Sequence, residues 1–130
     1  MALVIDLKPS EKLLIGTAVI TNDDQRTRLH IEGDAPIMRE KDVLKLEDVN
    51  SPCKRVYYMI QVMYLARDPR LHHEPYFDLI KEVQKAAPST AFLISEINEH
   101  IISDSYYRAL KAAKKLIEYE EELIGNATGK

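Results

Sequence analysis

DAPIMREKDV, Asp34–Val43, is the stretch at which the chain stops reading as strands. Ala35–Arg39 fits a last short strand, and Pro36 gives it an edge or an entry position, because proline donates nothing to a ladder. Ile37 and Met38 precede Arg39, Glu40 and Lys41. An arginine on a strand beside exposed apolar side chains suits a nucleotide: its planar fork reaches phosphate or a guanine edge, and its face stacks on a base. The same residues also fit an edge strand that ends in a solvated charge run.

Upstream, short runs alternate between turn residues. Leu3, Ile5 and Leu7 alternate with Val4 and Asp6, as in a half-buried strand. Lys8-Pro9-Ser10-Glu11 reads as a turn with proline at its second position. Leu13, Leu14 and Ile15 run into Gly16, a bend or bulge, and Thr17–Thr21 is rich in β-formers. Asn22-Asp23-Asp24-Gln25 reads as a polar hairpin loop. From Arg26 to Glu32, Leu29 and Ile31 point one way, and Arg28, His30 and Glu32 the other. Gly33-Asp34 turns the chain again.

Downstream, Lys41–Asn50 reads as a short helix or a loop. Near Asn50 the apolar spacing becomes helical. Ser51-Pro52 is a strong helix start, and that helix runs to about Ala66 with a broad apolar face. Pro75 opens a second helix, striped with Tyr76, Phe77, Leu79, Ile80 and Val83, which Pro88 stops. A segment capped by Ser89 or Thr90 packs Phe92, Leu93, Ile97 and Ile101, with Ile94 as a further candidate. The last helix follows Ser103 or Asp104 and ends near Ile124, with Leu123 and Ile124 in its stripe and residues 126–130 frayed. Along it Arg108, Lys111, Lys114 and Lys115 precede Glu118, Glu120, Glu121 and Glu122. That face is either a solvated one laced by i,i+4 pairs, or a basic strip for phosphate beside an acidic tip for a protein. The whole is α+β: an antiparallel β sheet or barrel of about five strands in residues 1–50, then about four helices in residues 51–130, packed as one domain.

The 130 residues suffice for one proper core. A formal charge of −3 argues against general attraction to nucleic acid, so RNA binding would need a local patch and base contacts. The single cysteine, Cys53, allows no internal disulfide, which fits a reducing cytosol. The chain shows neither a signal-peptide pattern nor a run of membrane-span length, so a cytoplasmic location without membrane contact is expected. Nucleotide, phosphate, hydrolase and zinc-protease motifs are missing. His72-His73-Glu74 lacks a matching second ligand pair, and Glu96 with His100 fits a surface pair better than a metal site. No enzyme, cofactor or metal is expected.

The runs LKPSEKLLIG (Leu7–Gly16), MREKDV (Met38–Val43) and LIEYEEELIG (Leu116–Gly125) resemble the FlbT family of flagellar biosynthesis regulators. YYMIQVMYL (Tyr57–Leu65) and YYRAL (Tyr106–Leu110) extend the likeness over nearly the whole chain. The resemblance implies a post-transcriptional regulator that acts at the 5′ untranslated leader of flagellin mRNA. It implies repression through message decay, positive action in some members, no catalytic activity, and work alongside FlaF.

The first strand, with Leu7–Gly16, and Ile37–Glu40 are also similar to the first and last strands of the CsrA family of small RNA-binding regulators. That likeness implies an RNA surface on those strands, with Arg39 and Glu40 on the last and Ile5 and Lys8 on the first. The family's first-strand arginine falls here on Leu7. Strand exchange in that family implies a possible homodimer. The candidate RNA-binding residues are therefore Arg39, Glu40, Lys41, Ile5, Lys8, Arg28 and His30. The rival reading is a protein-binding module: the broad apolar helices and acidic charge suit flagellin or FlaF, with an indirect effect on the message.

Overall fold

The structure is a computed structural model that describes residues 3–127, and side chains through Gly125. The chain divides into two compact units, Met1–Val43 and Leu44–Lys130. The architecture is α+β, with five strands before four helices among the described residues.

In the first unit β1 (Leu3–Leu7) pairs antiparallel with β4 (Thr27–Ile31). β2 (Lys12–Ile15) lies between β3 (Ala18–Thr21) and β5 (Ile37–Arg39), both antiparallel to it. Alternation makes the core: Ile5, Leu7 and Leu13 are buried, and Ile15, Leu29, Ile31 and Ile37 pack against them. Burial of Leu7 and of Leu13 stabilises the unit by about 1.5–3 kcal/mol each. β2 and β3 are joined by Gly16 and Thr17, and the positive φ of 59° falls on Gly16. That is the position a II′ hairpin turn gives to glycine.

Asn22–Gln25 is not a hairpin loop, because β4 pairs with β1 and not with β3. The loop instead carries the chain from one sheet to the other, and the Asn22 amide pins the crossing. Its Nδ2 donates to the carbonyls of Leu7 (3.2 Å), Lys8 (2.9 Å) and Gln25 (2.8 Å). Pairing with β1 sets Leu29 and Ile31 opposite Ile5 and Leu3, which completes an apolar face.

In the second unit the ambiguous stretch after Val43 resolves into irregular chain around a 3-10 turn, Leu46–Asp48. Residues 44–50 belong to the helical unit, not to the β module that the sequence suggested. The buried Gln61 side chain accepts the Leu44 N–H (2.8 Å) and donates to the Leu44 carbonyl (3.0 Å). α1 (Pro52–Leu65) starts as expected: Ser51 Oγ accepts the Lys54 N–H at 3.2 Å, a cap worth about 1 kcal/mol. α2 (His73–Ala86) begins two residues before Pro75, after a 3-10 turn at Pro69–His72. Pro75 is tolerated in the first turn because the missing N–H there has no intrahelical partner to lose.

α3 (Ala91–Ile102) buries Ile94, Ile97 and Ile101, so Phe92 falls on the outer side at 67% exposure instead of packing inward. α4 (Tyr106–Ala127) packs on both α1 and α3 and buries Tyr106, Ala109, Leu110, Ala113 and Leu116. Its inward stripe stops near Leu116, with Leu123 and Ile124 exposed, and the helix continues through Gly125 to Ala127. Residues 128–130 of the expected frayed tail lie outside the described residues. Among the described residues no helix is long and apolar enough to cross a membrane.

Glu120 explains part of the acidic end of α4. Its carboxylate accepts the Ser51 hydroxyl and, at 3.1 Å, the Cys53 N–H. An acid from the last helix thus meets the positive end of the α1 dipole.

Candidate nucleic-acid interface

The β1–β4 ribbon has an outer face set by register. Asp6 stands opposite Arg28, and Val4 opposite His30. Arg28 Nε donates to Asp6 Oδ1 at 3.0 Å, with both side chains mostly in water, at 66% and 53% exposure. From β5, Arg39 Nη1 reaches the Asp6 carbonyl at 3.5 Å, a weak contact that still brings its guanidinium to β1. The Arg28 guanidinium, by its hydrogen bond and its charge, holds the Asp6 carboxyl below the usual carboxylate range. Desolvation opposes this, and the charges of Arg26 and Arg39 add smaller contributions in the same direction as Arg28. One arginine, Arg28, therefore pairs with the Asp6 carboxylate, and a second, Arg39, reaches the backbone of the same residue, in a chain of net charge −3.

The expected residues fall out as follows. Arg28 and His30 are exposed on the outer face, and Lys8 is exposed just beyond β1. Arg39 is half-buried, on the same face of β5 as Ile37 and across from Leu13, so it leaves the apolar interior at its margin. Glu40 and Lys41 are exposed in a 3-10 turn, Glu40–Asp42, that follows β5. Ile5 is a correction: at 4% exposure it is core, because the alternation that makes β1 amphipathic points it inward, and it offers no surface to a base. The apolar flank is also corrected. Met38 is buried and Ile37 half-buried, so the exposed apolar neighbour on the outer face is Val4. Leu7 is fully buried, which is why an arginine has no place there.

Sequence reasoning missed Arg26 and Asp6. The i,i+2 spacing of Arg26, Arg28 and His30 was the signal available, since it puts all three on one side of an extended chain. The arrangement can fork a phosphate between Arg28 and its neighbours, with Val4 and His30 to receive a base.

Other polar groups serve the helical unit. Arg70 pairs with Asp104 at 2.7 Å, Tyr106 donates to Asp104 at 2.9 Å, and His73 Nε2 lies 2.8 Å from the Tyr106 hydroxyl. Glu96 pairs with Lys115 (3.7 Å) and not with His100. Cys53 is buried, and burial, then Glu120, pushes its thiol up to about 12. Among the described residues no group of three His, Cys, Asp or Glu side chains stands together. A groove of about 610 Å³ lies along α1 and α2, lined by Leu46, Tyr58, Met59, Val62 and Leu79, with Arg55 and His72 as its polar members.

Comparison with known proteins supplies what geometry does not. The family model described as flagellar protein FlbT matches residues 3–124. A probable flagellum biosynthesis repressor protein of Bradyrhizobium diazoefficiens is 48% identical over 126 residues, covering 96% of this chain and 86% of that one. One of Rhodopseudomonas palustris is 46% identical, covering 95% of this chain and 98% of that one. The flagellum biosynthesis repressor protein of Caulobacter vibrioides is 31% identical over 98% of this chain and 93% of its own. No solved structure matches significantly. A family model that runs from β1 into the last turns of α4, and relatives close to half identical along nearly the full chain, place both units within one lineage: the chain belongs to the FlbT family of flagellar proteins.

Proposed function

We propose that the chain is a repressor of flagellum biosynthesis that acts after transcription. It binds the 5′ untranslated leader of flagellin mRNA and promotes decay of that message. The names of the relatives support the repressor role. The observation that carries the RNA reading is the approach of Arg28 and Arg39, from two different strands, to Asp6 on β1. In an acidic chain such a cluster gives the short-range attraction that the net charge does not. Arg39 and Arg28 hold phosphate or guanine, Lys8, Lys41 and His30 lie at the periphery, and Glu40 accepts from an exposed base edge. The protein contributes binding, and cleavage is left to other factors.

The test is a gel shift with purified protein and a flagellin leader transcript. By analogy with arginine contacts to bases on DNA, each lost contact is worth about 1–3 kcal/mol. Arg39→Ala is expected to weaken binding at least about fivefold, and the Arg28→Ala, Arg39→Ala double variant to abolish it. Unchanged affinity in the double variant removes the site.

The apolar groove along α1 and α2 favours a second reading. Its lining suits an amphipathic segment of a protein such as flagellin or FlaF, with the message affected indirectly. Pull-downs with purified flagellin or FlaF, with and without RNase, separate the readings: capture that survives RNase and is lost in Met59→Glu supports the groove.

A further inference from the structure

The outward face of α4 changes sign halfway along. Arg108, Lys111, Lys114 and Lys115 are all exposed, and Glu118, Glu121 and Glu122 follow them. At about 100° per residue the cations share one sector with Tyr107, opposite the side that buries Ala109, Ala113 and Leu116. Arg108 with Lys111, Lys111 with Lys114, and Lys111 with Lys115 stand at i,i+3 or i,i+4. Like charges at those spacings destabilise a helix, so a merely solvated face would be better served by alternating signs.

Two exposed rings flank the cations. Tyr107, 48% exposed, has Lys111 Nζ 5.0 Å over its ring and the Tyr64 ring 5.9 Å away, which fixes its direction. Phe92 on α3 lies 6.2 Å from the Tyr119 ring, one turn beyond Lys115. Of the neighbouring acids, Asp104 pairs with Arg70, and Glu96 pairs with Lys115, whose ammonium leaves Glu96 on meeting a phosphate. Cations in a row with aromatic rings beside them are what single-stranded nucleic acid needs, phosphates on the charges and bases on the rings.

We propose that this strip is a second contact for single-stranded RNA, separate from the arginine cluster of the β unit. A base stacks on Tyr107 over the face Lys111 now covers, the Lys111 ammonium moves to the adjoining phosphate, and Phe92 receives a base at the other end. The inference rests on the reading of the chain as an RNA binder.

The test uses the full chain and a fluorescent single-stranded oligonucleotide copied from a flagellin leader, titrated across salt. For single strands each neutralised phosphate contributes about 0.7 to the slope of log affinity against log salt. Lys111→Gln with Lys115→Gln is expected to flatten that slope by about 1.4. Tyr107→Leu is expected to weaken binding about tenfold with the slope unchanged, while Tyr107→Phe, which keeps the ring, binds as the wild type. All four substitutions are at exposed positions, and circular dichroism checks that the helices persist. If the strip variants bind as wild type while Arg28→Ala with Arg39→Ala loses binding, the strip is refuted and the arginine site stands. If the strip variants lose binding and the arginine variant does not, the strip stands and the arginine site falls. If the wild type binds no RNA, both fall.

Discussion

Replacing Asp6 with asparagine is expected to tighten RNA binding, although it removes the best-formed ion pair of the site. Asparagine keeps the shape of the side chain and leaves the carbonyl that Arg39 reaches at 3.5 Å. The Arg28–Asp6 pair is 3.0 Å long but mostly solvated, at 66% and 53% exposure. Such exposed pairs contribute little to stability, so the variant folds and melts within a few degrees of the wild type. Its electrostatic effect is larger than its structural one. Arg28 is paired with this carboxylate in the native protein, and in the variant it has none to pair with. Arg28 then gives its whole fork to phosphate. One more neutralised phosphate steepens the slope of log affinity against log salt by about 0.7, which is roughly fourfold in affinity at 0.15 M against a 1 M reference. Fluorescence anisotropy of a labelled leader fragment, repeated from 0.05 to about 0.4 M salt, reads both numbers. Weaker binding at every salt, or an unchanged slope, would show that Asp6 positions Arg28 instead of masking it, or that phosphate does not meet this face.

Two further outcomes follow from the helical unit. Glu120→Ala strips a charge-assisted acceptor from the Ser51 hydroxyl and the Cys53 N–H, and is expected to cost about 2–3 kcal/mol, whereas the exposed Glu118→Ala costs under about 0.5; equal melting temperatures for the two variants would deny Glu120 its role at α1. The Cys53 thiol, pushed up to about 12 chiefly by burial, should resist alkylation at pH 8.5 until denaturant is added. Because its folded value is raised, the associated stability is fully present below the ordinary thiol value of 9.0 and is lost as pH climbs towards about 12. Urea melts between those two pH values in wild type and Cys53→Ser check the sign: a flat wild-type curve would contradict it.

Much of the fold is legible because local spacing carries it. Leu3, Ile5 and Leu7 alternate, Ser51-Pro52 announces α1, and Ile97 and Ile101 keep helical spacing. What escapes is what depends on distant partners. Asn22–Gln25 has the composition of a hairpin loop, and only the pairing of β4 with β1 shows that it is a crossing. Phe92 looks internal because α3 carries apolar residues nearly all round, so periodicity cannot choose its inner side. The site was half visible for the same reason. Arg28 and His30 follow from alternation, but the approach of Arg39 to Asp6 joins residues 33 positions apart. Ile5 was misassigned because a resemblance between strands does not say which of their faces is turned to water.

Glu120 makes the two ends of the helical unit depend on each other in time. Cys53 and the acid that receives its N–H are 67 residues apart. At roughly 5–20 residues per second of synthesis, the start of α1 emerges roughly 3 to 13 s before its acidic partner exists. During that interval only Ser51 satisfies the opening turn. A nascent chain halted before Glu120 therefore carries an α1 whose first turn lacks its acidic partner.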